Sequence, residues 1–149
     1  MLYNNIQIQS IDRPVNLRKK SVYQWLNKIA NNNNIEIKSL SISICSDEHL
    51  LSINKAYLNH DYYTDIITFD LKDSKEVRSI EGDIYISKDR VNDNAKTMGL
   101  KKEVELLRVI VHGLLHLMGY KDKTQKQRQE MREAENLSIN LYETMFHVK

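Results

Sequence analysis

Residues 112–122 read His-Gly-Leu-Leu-His-Leu-Met-Gly-Tyr-Lys-Asp and follow an apolar helical run over residues 104–111. Residues four apart on a helix lie one above the other, so the imidazoles of His112 and His116 project from the same face. Two imidazoles one turn apart can bind a single metal ion, as in the helical H-x-x-x-H zinc motifs. The stretch therefore predicts a metal site at the end of a core helix.

The residues after His116 predict the rest of this site. Gly119 favours a helix end, because glycine adopts the left-handed conformation that a C-terminal cap requires. Asp122 follows the turn, where its carboxylate can act as a third ligand and leave one coordination position for water. The alternative is that both histidines are buried core residues bonded to the backbone, and that Gly113 only permits close helix packing.

The residue after the first histidine argues against a peptidase. Zinc proteases with an H-E-x-x-H motif use the glutamate at that position as the general base, and here the position is Gly113. A small-molecule metallohydrolase is a further alternative, and it would need a deep apolar pocket, which a sequence cannot show.

Length and composition predict one soluble globular domain over residues 1–149. Hydrophobic residues make up 41% of the chain and charged residues 28%, and we expect neither a signal peptide nor a membrane span. The single cysteine, Cys45, cannot form an internal disulfide, which suits a cytoplasmic protein. The net charge of +2 neither demands nor excludes a nucleic-acid partner.

Apolar periodicity predicts four strands and five helices, and hence the α+β class. The predicted strands cover residues 5–9, 35–45, 65–71 and 82–87. The predicted helices cover residues 17–31, 47–58, 88–98, 103–118 and 124–145. The helix over 103–118 is apolar around most of its circumference, so we expect it to cross the core. On the last helix, the apolar residues placed on one side are Met131, Leu137, Leu141 and Met145.

Three sequence blocks together resemble the YbeY family of bacterial rRNA maturation factors and endoribonucleases. The family signature H-G-x-L-H-L-x-G-Y matches residues 112–120, and the block G-D-I-x-I-S matches residues 82–87. The block P-T-D-V-L-S-F is similar to residues 63–69, which read Tyr-Thr-Asp-Ile-Ile-Thr-Phe. The resemblance covers essentially the whole chain and implies a mixed four-stranded sheet packed with helices, and a metal, usually zinc, held by three histidines.

The chain departs from this family pattern at two positions. Two of the three histidines carry over onto His112 and His116, but the third position is Asp122. An aspartate can ligate zinc through oxygen, so we expect one divalent ion per chain, Zn²⁺, although two histidines and a carboxylate also suit iron, manganese or nickel. Leu58 occupies the position of a family arginine thought to act on the RNA phosphate. The absence of that guanidinium removes a bidentate phosphate contact.

The resemblance implies a metal-dependent single-strand endoribonuclease that acts in 16S rRNA 3′-end maturation and ribosome quality control. Its implied partners are ribosomal RNA, the small ribosomal subunit, and ribosomal proteins or an assembly GTPase. The alternative is a non-catalytic assembly factor for the small subunit, in which the metal only holds the turn over residues 119–122. A closed structural zinc site has four protein ligands, and the three found here favour catalysis.

Candidate RNA-binding residues lie on or just after the metal loop. Lys121, Lys123 and Arg128 form a basic patch that can face phosphates, although a solvated helix face is an equally acceptable interpretation. The sequence does not identify a general base. His60 and Asp61 are candidates because their loop precedes the second family block, and the competing interpretation is a solvated loop.

Overall fold

Four strands and five helices alternate irregularly along residues 4–73, 75 and 77–147, which the computed structural model describes. In chain order they are β1 (Ile6–Ser10), α1 (Lys19–Asn32), β2 (Glu36–Cys45), α2 (Asp47–Leu58), β3 (Ile66–Asp70), β4 (Ser79–Ser87), α3 (Lys88–Met98), α4 (Lys102–Leu117) and α5 (Gln125–Phe146). Each corresponds to an element that apolar periodicity predicts. Among the strands, the largest difference between predicted and observed bounds is at β4. It begins at Ser79 instead of the predicted Gly82, because Ser79 and Ile80 pair with the first residues of β2.

The strands form one mixed sheet in the order β1-β2-β4-β3. Strands β1, β2 and β4 are mutually parallel, and β3 pairs antiparallel with β4. The predicted α+β class and four-stranded mixed sheet are therefore confirmed. Strand β3 lies at the edge of the sheet, so its outer side is open to form one wall of a cleft.

Helix α4 crosses the core, as predicted, and packs on β3 and β4. Ile110 and Leu114 are fully buried along it. A Cβ atom on Gly82 of β4 would lie 2.8 Å from Leu117 Cδ1 and 2.9 Å from the Phe69 carbonyl oxygen, so only glycine permits this approach of helix and sheet. Even with this apolar core helix, no described helix is both long and apolar enough to cross a membrane.

Side-chain caps fix where three of the helices begin. Ser46 accepts a hydrogen bond from the first turn of α2, and Ser87 does the same for α3. Thr124 and Gln127 form a capping box at the start of α5. From that start α5 returns along α4, and its first half lies beside His112.

Candidate metal centre

The structure brings His112, His116 and Asp122 together. One ligand atom from each lies within 4.8 Å of the other two. Asp122 Oδ2 is 3.2 Å from His116 Nε2 and 3.5 Å from His112 Nε2. The two imidazoles project from one face of α4, as their spacing predicts, and their role as metal ligands remains a prediction.

The turn after α4 orients the second histidine. Gly119 has a φ of +109°, a backbone conformation that favours glycine. The Tyr120 N–H then donates to the Leu115 carbonyl oxygen at 3.0 Å, which closes the helix end. The Tyr120 carbonyl oxygen lies 3.0 Å from His116 Nδ1. Because a carbonyl can only accept, Nδ1 is the donor, and the Nε2 of the neutral ring is left with its lone pair.

Glu135 of α5 orients the first histidine in the same way. Its Oε2 lies 2.6 Å from His112 Nδ1, so His112 donates from Nδ1 and its Nε2 faces Asp122. Burial raises the pKa of Glu135, but hydrogen bonds from His112 and Arg108 outweigh it and hold the pKa below its ordinary value. The buried Glu135 is therefore an ionised acceptor.

Sequence reasoning missed Glu135. The sequence does contain one indication that Glu135 is buried: it lies one turn after the buried Met131, on the core-facing side of α5. The apolar pattern predicts Leu137 on that side, and this prediction is wrong, because Leu137 is 70% exposed. The core-facing side of α5 thus includes Glu135 and not Leu137.

The three side chains fit a divalent ion by the chemistry of their donor atoms. With both Nδ1 atoms acting as donors, two Nε2 lone pairs and the Asp122 carboxylate converge on one point. Such a group of electron-pair donors repel one another unless a cation or protons lie among them. Histidines whose other ring nitrogen donates to a carboxylate or a backbone carbonyl are typical of metal ligands.

A cleft of about 480 Å³ opens beside these donor atoms, between α4 and β3. Two backbone hydrogen bonds show which residues of β3 and its flanks face β4: Ser87 N–H donates to the Asp65 carbonyl and Leu71 N–H donates to the Glu81 carbonyl, both at 2.9 Å. In an antiparallel ladder, every second residue bonds the partner strand in this way. By this alternation the backbone N–H and C=O groups of the intervening residues Ile66, Thr68 and Asp70 point away from β4, and these residues line the cleft. The open strand edge offers donors and acceptors to an extended ligand.

The loop between α2 and β3 forms another part of this cleft. Leu58, at the position where the resemblance implies an arginine, lines the same cleft as His112, His116 and Asp122. His60 also lines it and stacks on Tyr62, with ring centroids 5.0 Å apart and Nδ1 2.9 Å from the Tyr62 hydroxyl. Asp61 instead pairs with Lys55 at 3.3 Å. Of the two candidate bases, His60 is the one in the cleft wall.

A second groove of about 300 Å³ lies on the other side of His112 and Asp122. Its lining includes three arginines: Arg108, Arg128 and Arg132. Among the predicted RNA-binding residues, Arg128 thus lies beside the candidate ligands. Lys121 lines a separate groove with Met118 and Glu130. Lys123 is exposed, and its carbonyl oxygen accepts from Arg128 Nη1 at 2.8 Å.

A helix with two histidines and a nearby carboxylate, beside an open cleft of a mixed α+β domain, defines a candidate hydrolytic metal centre. A family model described as Endoribonuclease YbeY matches residues 4–143. The chain therefore belongs to the YbeY family of endoribonucleases, and the resemblance drawn from the three sequence blocks is confirmed.

Individual relatives agree with this assignment. The chain is 50% identical over 132 residues to the Endoribonuclease YbeY of Cytophaga hutchinsonii, covering 87% of this chain and 90% of the relative. It is 40% identical over 135 residues to the Endoribonuclease YbeY of Porphyromonas gingivalis, covering 91% and 87%. The solution structure of TM1509 from Thermotoga maritima, 24% identical, matches with a TM-score of 0.63 over 95% of this chain and 91% of that one. The latter likeness shows that the fold is shared.

Proposed function

We propose that this protein is a metal-dependent single-strand endoribonuclease that acts in 16S rRNA 3′-end maturation and ribosome quality control. Membership of the YbeY family supports the nuclease activity and the role in rRNA maturation. The observation that carries the metal dependence is the convergence of His112, His116 and Asp122 within 4.8 Å beside an open cleft. We assign these three side chains as ligands of one divalent ion, Zn²⁺.

In this proposal the protein orients ligands and substrate, and the ion, when bound, lowers the pKa of a water or polarises a phosphoryl oxygen. Glu135 and the Tyr120 carbonyl hold the two imidazoles. Arg128, with Lys121 and Lys123 further out, attracts the RNA backbone. His60 is the candidate general base, because it lines the cleft and its Nδ1, not its Nε2, is engaged by Tyr62.

The open edge of β3 in the cleft supports an unpaired RNA substrate. Base edges that are already paired in a duplex are not available to the outward backbone groups of β3, whereas a single strand can splay its bases against them. The partners we propose are ribosomal RNA and the small subunit, with ribosomal proteins or an assembly GTPase. A cytoplasmic location is supported by Cys45, which is a buried free thiol.

One observation favours the rival, a non-catalytic assembly factor for the small subunit. Leu58 places an apolar side chain in the cleft where the family pattern has a guanidinium. In that case the ion would only fix the turn over residues 119–122. RNA turnover that is lost in His116→Ala distinguishes the nuclease, and ribosome co-sedimentation without turnover distinguishes the assembly factor.

The decisive experiment is elemental analysis of natively purified protein beside Asp122→Ala and Asp122→His. We expect about one zinc per chain in the wild type, loss in the alanine variant and retention in the histidine variant, since imidazole can ligate zinc and a methyl group cannot. RNA cleavage is measured on the same preparations. Little metal in all three proteins would contradict the metal site and leave the assembly factor as the better interpretation.

A further inference from the structure

A buried ion network joins the middle of α4 to α5. The side chains of Glu105, Arg108 and Glu135 are 0%, 16% and 3% exposed. Arg108 donates two hydrogen bonds to Glu105, from Nε to Oε1 at 2.8 Å and from Nη2 to Oε2 at 2.5 Å. Its remaining nitrogen, Nη1, donates to Glu135 Oε1 at 2.9 Å. One guanidinium thus links a fully buried carboxylate of α4 to a carboxylate of α5.

The two oxygens of Glu135 have different partners. Oε1 accepts from Arg108, and Oε2 accepts from His112 Nδ1 at 2.6 Å. Because the planar fork of Arg108 is fixed by Glu105, the carboxylate of Glu135 cannot rotate without breaking a charge-assisted hydrogen bond. The Nδ1 side of the imidazole is held as a result, and Nε2 stays directed at Asp122.

A buried ion network of this kind is weak evidence for a role in stability. Two carboxylates and one guanidinium leave an excess of one negative charge in a buried place, and desolvation of such groups often cancels their attraction. Arg132 Nε is 3.9 Å from Glu135 Oε1, but its side chain is 58% exposed and its charge is screened by solvent. Negative charge beside a histidine does, however, strengthen that histidine as a ligand for a cation.

We propose that Glu105 and Arg108 are positioning residues of the metal centre, which act through Glu135 to hold the His112 imidazole with Nε2 directed at the ion. This inference rests on the proposed function, because it requires His112 to be a ligand. Loss of an outer partner of a ligating histidine typically weakens metal affinity about 10–100-fold.

The test compares Arg108→Lys and Glu105→Gln in the full chain, each stripped of metal and titrated with Co²⁺ by visible absorption. Lysine keeps the charge but cannot form the fork and the bridge together. We expect both variants to keep the wild-type circular dichroism, to bind Co²⁺ at least about 10-fold more weakly, and to weaken the hydrogen-bonded Nδ1–H signal of His112 in ¹H–¹⁵N spectra.

Arg90→Lys is the matched control, since Arg90 pairs with Asp47 at 2.7 Å outside this network. It should leave Co²⁺ affinity unchanged. Wild-type affinity in both network variants, or equal weakening in Arg90→Lys, would overturn the inference while the metal site stands. A wild-type protein that binds no Co²⁺ would overturn the metal site and the inference with it. If Arg108→Lys does not fold, Glu105→Gln decides the outcome.

Discussion

Gly113 of α4 packs directly against Ile84 of β4: a Cβ atom on Gly113 would lie 2.7 Å from Ile84 Cδ1, and 3.0 Å from Ile66 Cδ1. This contact seats the helix that carries both histidines on the sheet. It also excludes a glutamate from the position where zinc peptidases have their general base. The close packing at Gly113 that the alternative interpretation includes is therefore present, but the His112 and His116 side chains are 20% and 28% exposed and so are not the fully buried residues of that interpretation.

Gly113→Ala should destabilise the protein. Overpacking costs about 1–3 kcal/mol, which exceeds the gain of about 1 kcal/mol in helix propensity, so we expect a net loss of about 1 kcal/mol in urea unfolding. Ile84→Val removes the closest atom and should cost less in the Gly113→Ala background than in the wild type. Additive effects of the two substitutions in a double-mutant cycle would contradict the close contact.

Gly119→Ala should weaken metal binding as well as stability. Gly119 has a φ of +109° and Gly99 a φ of +67°. A Cβ atom at either position would have no neighbouring atom within 4 Å, so alanine would cause backbone strain there but no steric clash. We expect each variant to lose at least about 1 kcal/mol in urea unfolding. Only Gly119→Ala should lower Zn²⁺ affinity, because it moves the Tyr120 carbonyl away from His116. Equal metal affinities in the two variants would count against that coupling.

Acid should unfold this protein partly through the carboxylates that hold the start of α2. Asp12 accepts from the Ser46 hydroxyl at 2.6 Å and backbone N–H at 2.7 Å, and the hydroxyl bond is the main cause of a pKa below 3.8. Asp89 accepts from Arg13 and from the Asp47 N–H, and the Arg13 bond likewise lowers its pKa below 3.8.

A carboxyl whose folded-state pKa is depressed stabilises the fold above its unfolded pKa, and this contribution is lost as the pH falls below it. The free energy of unfolding should therefore fall from pH 5 towards pH 3 in the wild type and fall less steeply in Asp12→Asn. Parallel slopes for Asp12→Asn and the wild type would exclude Asp12 as a contributor.

Arg128 should contribute more to RNA binding than Lys121, because Arg128 shares a groove with His112 and Asp122 whereas Lys121 lines another. For a single strand, each lost phosphate contact reduces the slope of log affinity against log salt by about 0.7. We expect this reduction in Arg128→Gln and a smaller one in Lys121→Gln, measured by fluorescence anisotropy with a labelled single-stranded RNA. The opposite order would indicate that RNA crosses the turn on its Lys121 side.

Much of the fold follows from local patterns in the sequence. The apolar period of 3.6 predicts α4, and alternation predicts strands such as residues 40–45, because each pattern reports which side of one element is buried. The strand order and the antiparallel edge strand β3 are different, since they depend on pairing between segments that compete for the same partners. The relation of the cleft to β3 could not be predicted without that order.

The candidate ligands could be identified from local sequence, because His112, His116 and Asp122 lie within eleven residues and one helical turn fixes two of them on the same face. The tertiary structure alone decided their surroundings. Glu135 reaches His112 across 23 residues of chain, and Arg108 reaches Glu135 across 27. Contacts of this kind exist only after α5 has packed on α4, because the hydrophobic pattern of each helix specifies its buried side but not which buried polar groups will meet.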